Sequence, residues 1–84
     1  MSKELNAVLK SHPLSLEARA VARYLAVVGH ADPVEIAEKT GFNLTSVCFS
    51  LNHLREHNIA QEQSLFHVQH QQHMWCLTRE EWLA

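Results

Sequence analysis

The stretch Asp32-Pro33-Val34-Glu35-Ile36-Ala37-Glu38-Lys39-Thr40-Gly41 constrains the fold more than any other part of this chain. Asp32 stands where an N-cap carboxylate accepts amides of a first helical turn, and Pro33 takes the N1 position that needs no donor. Glu35 completes the spelling of a capping box, and Gly41 follows Lys39 and Thr40 where a helix needs left-handed backbone to stop. These signals predict a helix of about eight residues with Ile36 and Ala37 facing inward. After a short turn, Asn43 or Thr45 opens another helix, from Leu44 to about His57, with Leu44, Val47, Leu51 and Leu54 on one face. Two helices joined by a tight turn result.

The flanks of this pair complete one domain over residues 1–84. Leu5, Val8 and Leu9 recur at helical spacing in residues 2–11, with Ser2 available as N-cap, so a short N-terminal helix is expected there. Pro13 breaks it, and Ser15 can cap a second helix over Leu16 to Val28, whose row Leu16, Ala20, Tyr24 and Val28, widened by Val21 and Leu25, reads as a buried face. Residues 16–58 then form a helical core, with the helix pair at 33–57. After Asn58 the period changes from helical to alternating. Ile59 to Gln63 and Leu65 to His70 read as strands, Gln71-Gln72 as a polar turn, and His73 to Leu77 as a last strand with Trp75 and Leu77 on one face. Thr78-Arg79-Glu80-Glu81 repeats the capping-box spelling and predicts a terminal helical turn holding Trp82 and Leu83. The expected class is mainly α with a small β-hairpin over 59–78, an α+β fold.

Composition narrows the function. An 84-residue chain that is 46% hydrophobic, with two Gly and two Pro, builds one modest core and little enclosed pocket. Its longest apolar run, Tyr24 to Val28, is far below the ~20 residues of a membrane helix, and residues 1–6 lack a signal-peptide pattern, so no membrane insertion and a cytoplasmic location are expected. No nucleophile–base pair, carboxylate pair or Gly-rich phosphate loop is present, which points to a binding module and not an enzyme, with no cofactor. Cys48 and Cys76 are too few and too far apart for a disulfide framework or a CxxC zinc motif. Cys48, roughly 100° from Val47, reads as a small core or boundary residue.

The helix pair followed by a hairpin has a specific likeness. Pro33 to Gly41, followed by Leu44, Thr45, Val47, Leu51, Leu54 and Ile59, resembles the helix-turn-helix of MarR-like and ArsR-like bacterial regulators, and Trp75-Cys76-Leu77-Thr78 looks like the last wing strand of those families. The resemblance covers roughly residues 16–79 and implies a winged helix-turn-helix that binds double-stranded DNA, its second helix in the major groove and its wing on the backbone. By position, residues 43–57 would be the reading helix of a DNA-binding transcriptional regulator. A homodimer is the expected working unit, since pairing doubles the contacts, with the N-terminal helix as its natural element.

Helical phasing from Val47 puts Thr45, Phe49, Asn52, His53 and Glu56 on the outward face, and the residues expected to meet a partner are Thr45, Ser46, Phe49, Asn52, His53 and Arg55. Asn52 suits adenine, Thr45 and Ser46 suit phosphate, and Phe49 suits a thymine methyl. Charge pulls the other way. The chain carries a net −2, and between Asn43 and Leu77 Arg55 is the single cation against Glu56 and Glu62, whereas DNA readers usually hold a basic surplus. A stripe of Lys10, Arg19, Arg23, Lys39 and Arg55 around the reading helix would restore it. His53, His57, His67, His70 and His73 lie in the same region and would turn it positive below about pH 6.5, or they are solvated polar residues. The spacing His67, His70, His73, Cys76 invites a metal, but alternation along a strand sends these side chains to opposite faces, and no metal ligand is assigned. The alternative function is a winged-helix protein-protein interaction module that binds another protein, not DNA, through Phe49 and the histidine-rich wing.

Overall fold

The computed structural model describes residues 3–64 and 73–84, and its element order is α1 (Lys3–Ser11), α2 (Leu16–Val28), α3 (Pro33–Thr40), α4 (Leu44–Glu56), β1 (Ala60–Ser64), β2 (His73–Leu77) and a 3-10 turn at Glu80–Trp82. The fold is thus mainly helical with a small antiparallel hairpin. Residue 2 lies outside the described residues, and with it the expected Ser2 cap.

Local chemistry sets most of the boundaries. The Ala18 N–H donates to Ser15 Oγ at 3.1 Å and the Glu35 N–H to Asp32 Oδ1 at 2.7 Å, so both expected caps form. Asn43, and not Thr45, caps α4, accepting the Ser46 N–H at 2.8 Å. Gly41 ends α3 with φ +82° and Gly29 ends α2 with φ +86°. The end of α4 is built differently. Asn58 takes φ +59°, its N–H donates to Arg55 O at 3.0 Å, and the Ile59 N–H reaches Leu54 O at 2.8 Å. That pair of bonds is a Schellman motif with Asn in place of Gly, and the apolar contact such motifs favour falls on Leu54 and Ile59, both buried.

Helix α2 packs against α3, α4 and β2, and α4 packs against α2, α3 and β1. One core results, in which Leu5, Leu9, Val21, Leu25, Ile36, Val47, Leu51, Leu54 and Ile59 are fully buried. The buried face of α2 runs through Ala18, Val21, Ala22, Leu25 and Ala26, while Leu16 is 80% exposed and Val28 also faces outward. This corrects the expected row. A strict i, i+4 series drifts about 40° per step around a helix of 3.6 residues per turn, so Leu16 lies on the side opposite Leu25, whereas Val28, nearly in phase with Val21, faces outward at the last position of the helix. Leu44, expected on the core side, is 47% exposed at the first turn of α4. Ser50 takes a place in the buried face instead.

β1 and β2 pair directly, with Ala60 opposite Leu77, Gln61 opposite Cys76 and Glu62 opposite Trp75. The strand expected over 65–70 and the turn expected at Gln71-Gln72 lie outside the described residues; the strand that β2 pairs with is 60–64. On its other edge β2 is bridged by Ala31, which exchanges two backbone bonds with Trp75, N–H to O at 3.1 and 2.8 Å. The segment between α2 and α3 is thereby tied to the hairpin. The Thr78 capping box does not form: the Thr78 hydroxyl donates to Asn58 O at 2.6 Å, and the 3-10 turn has no side-chain cap. Trp82 is nonetheless buried there, and Leu83 is exposed.

Candidate functional site

Helix α4 presents an outward face beside the hairpin. Its inner side, Val47, Ser50, Leu51 and Leu54, is committed to the core. Thr45, Phe49, Asn52, His53, Arg55 and Glu56 are exposed, and Ser46 is half-buried. All six residues expected at the interface therefore lie on or at the margin of this face. Phasing from Val47, Leu51 and Leu54 places Thr45, Phe49, Asn52 and His53 outward, because a helix transmits angle along 13 residues, while Ser46 and Arg55 lie on its flanks.

The face has a definite relief. A shallow groove of about 380 Å³ is lined by Leu44, Thr45, Cys48, Phe49 and Asn52. Phe49 is 67% exposed, an unusual position for a large aromatic. A second groove, of about 270 Å³, runs toward the hairpin between Pro33, Cys48, Leu51, Asn52, Glu62 and Trp75. Cys48, expected at a core boundary, is exposed and contributes to both. It and Leu44 were missed as site residues; an apolar type in a surface row gave no signal until the packing of α3 against α4 was known.

Arg55 is held by two contacts. Its Nη2 donates to Asn52 Oδ1 at 2.8 Å, and its guanidinium carbon lies 5.6 Å from the centroid of the Trp75 ring. The first contact spends the Asn52 carbonyl, leaving the amide NH₂ as the group Asn52 presents outward, a donor for an acceptor such as a purine N7 or thymine O4. The second anchors the α4 cation to the hairpin through a stacking geometry that guanidinium groups favour.

Charge around the face is sparse. Among the described residues, Glu62 is the one carboxylate or cation lining the two grooves, and Lys10, Arg19, Arg23 and Lys39 line neither. The basic stripe that would favour phosphate is thus not assembled along these grooves. His53 is exposed on α4, while His57 at its end packs edge-to-face on His12 with ring centroids 4.9 Å apart. His67 and His70 lie outside the described residues, so the arrangement of the histidine-rich segment is not part of this geometry. Cys76 is buried, with Gln61 Nε2 donating to its Sγ at 3.8 Å. Among the described residues, no helix is long and apolar enough to cross a membrane.

Compared with known families, curated proteins and solved structures, the chain matches none. The functional reading rests on the geometry above.

Proposed function

We propose that the chain is a winged helix-turn-helix domain that binds double-stranded DNA as a transcriptional regulator, with α4 in the major groove and the hairpin against the backbone. The observation that carries this reading is the open face of α4. The second helix of a tightly joined pair buries one side only and presents Thr45, Phe49, Asn52, His53 and Arg55 side by side, next to a hairpin that Arg55 touches. A major groove admits a helix of this width, and a donor amide, a hydroxyl and an apolar ring are the chemistry that reads base edges. With one cation on the face, phosphate neutralisation contributes little. Affinity then depends on base contacts, and the salt slope is shallow, about −1 to −2 in log K against log salt.

The exposed Phe49 and Leu44 favour a second reading, in which the same groove receives an apolar side chain of a partner protein. One experiment separates the two: selection of purified protein on a random-sequence duplex pool at low salt, at pH 6 and pH 7.5, alongside Asn52→Ala and Phe49→Ala. The DNA reading expects one enriched sequence, weakened roughly 5- to 150-fold by Asn52→Ala, the cost of a lost base contact. No retention at either pH refutes it and leaves the protein-binding reading, for which Phe49→Ala is the decisive variant.

A further inference from the structure

The groove of Leu44, Thr45, Cys48, Phe49 and Asn52 sets an apolar cup beside one oriented amide. Leu44, Cys48 and Phe49 are all exposed, and nothing in the core depends on them. The five residues form one stripe along the N-terminal part of α4, the part that a reading helix turns toward base edges.

The amide has a fixed sense. Arg55 Nη2 donates to Asn52 Oδ1 at 2.8 Å, and its guanidinium is seated 5.6 Å from the centroid of the Trp75 ring, so a cationic donor holds the carbonyl side of Asn52. Reading adenine takes carbonyl and NH₂ together, the first accepting from N6 and the second donating to N7. An N6 amine approaching Oδ1 would meet the Arg55 donor already there, so the expected match of Asn52 to adenine gives way. What Asn52 offers is a donor beside an apolar surface.

We infer that this groove selects thymine: the Asn52 NH₂ donates to O4 while the C5-methyl enters the cup of Leu44, Cys48 and Phe49. The inference rests on the DNA reading above and names the base that α4 reads. Of the four bases, thymine alone carries an acceptor and a methyl on neighbouring ring atoms of its major-groove edge. Cytosine presents its N4 amine in the place of O4, donor against donor. The purines offer N7 to the amide but bring no apolar group to the cup. Arg55 is a positioning residue in this arrangement, since it acts by holding the amide and not by touching the base.

The test starts from the duplex enriched by wild type from a random-sequence pool at low salt and replaces its bases one at a time. Uracil keeps O4 and lacks the methyl, so at the selected thymine it should weaken binding roughly 3- to 10-fold, the worth of one buried methyl group. 5-Methylcytosine, paired with guanine, keeps the methyl and puts an amine in place of O4, and should weaken binding roughly 5- to 150-fold. Phe49→Ala changes an exposed side chain and should keep the circular dichroism of the wild type while bringing thymine and uracil close to equal affinity. Arg55→Ala frees the Asn52 carbonyl and should let adenine compete with thymine, a change of base preference that the loss of a charge does not by itself produce. Equal affinity for thymine and uracil at every thymine of an otherwise well-bound duplex overturns this inference and leaves DNA binding standing. Tolerance of 5-methylcytosine, a Phe49→Ala protein that still prefers thymine to uracil, or an Arg55→Ala protein that still excludes adenine does the same. No retention of the pool refutes DNA binding itself, and the inference with it.

Discussion

Gly29 and Gly41 allow a controlled measurement of what backbone conformation costs at a helix end. Both have positive φ, +86° and +82°, and a Cβ added at either meets no atom within 4 Å. Replacement by Ala therefore changes neither packing nor hydrogen bonding, and the penalty is conformational. The two differ in ψ: Gly41 lies in the left-handed helical region at +2°, whereas Gly29 sits at −56°. An L-residue enters the left-handed region at about 1–2 kcal/mol, but the region of Gly29 approaches the rare, strained γ-turn geometry and costs about 2–3 kcal/mol. For a domain of this length 1 kcal/mol corresponds to about 6 °C in Tm. Gly41→Ala should lower Tm by roughly 6–12 °C and Gly29→Ala by roughly 12–18 °C, read by far-UV circular dichroism with urea titration confirming an unchanged m value. Equal losses, or a larger loss at Gly41, would refute the argument that ψ decides the ranking.

Other perturbations test other links. Leu25→Ala should cost about 2–5 kcal/mol in urea unfolding and Leu16→Ala less than about 0.5 when measured on the monomer, because only the first empties a buried site; similar losses would restore the buried row that the structure displaces. Asn43→Ala should cost about 1 kcal/mol by removing the α4 cap, with Asn43→Asp retaining most of it. Tyr24 donates its hydroxyl to Glu35 Oε2 at 3.0 Å, and its phenol is pushed above its ordinary value by desolvation first and then by Glu35 and Asp32. The folded state thus holds the phenolic proton more tightly than the unfolded one, so this contribution is intact below about pH 10 and is lost as pH rises through the raised folded value. Tyr24→Phe should flatten that alkaline decline, and an unchanged slope would exclude Tyr24 as its source.

What could be read from the residues depended on how local the physics is. The caps at Ser15 and Asp32 and the stop at Gly41 involve groups within a few residues, so spelling alone specifies them. The outward placement of Thr45, Phe49, Asn52, His53 and Glu56 followed from one helical phase. The tie between Arg55 and Trp75 and the capture of the Thr78 hydroxyl by Asn58 join positions 20 residues apart in each case, and no local pattern announces them. The same holds for α2. Val21 and Leu25, expected in the buried face, are buried and Tyr24 packs against the core, while Leu16 and Val28 are exposed and Ala18, Ala22 and Ala26 take the remaining buried positions. The hairpin was legible at its ends, expected at 59–63 and 73–77 and found at 60–64 and 73–77, but without Gly, Asn or Asp between them nothing fixed which segment β2 would pair with.

The bridge between Ala31 and Trp75 also bears on colloidal behaviour. An isolated hairpin exposes two rows of unpaired amides and carbonyls, each a template on which another chain can add a strand. Ala31 occupies the outer edge of β2 at its midpoint, so an incoming strand would find the donor and acceptor of Trp75 already engaged. The remaining edge belongs to β1, where the polar Gln61, Glu62 and Gln63 put a charge at the centre of the strand. One small residue outside the sheet thus guards the more hydrophobic strand against edge-to-edge aggregation, and the other strand protects itself by its composition.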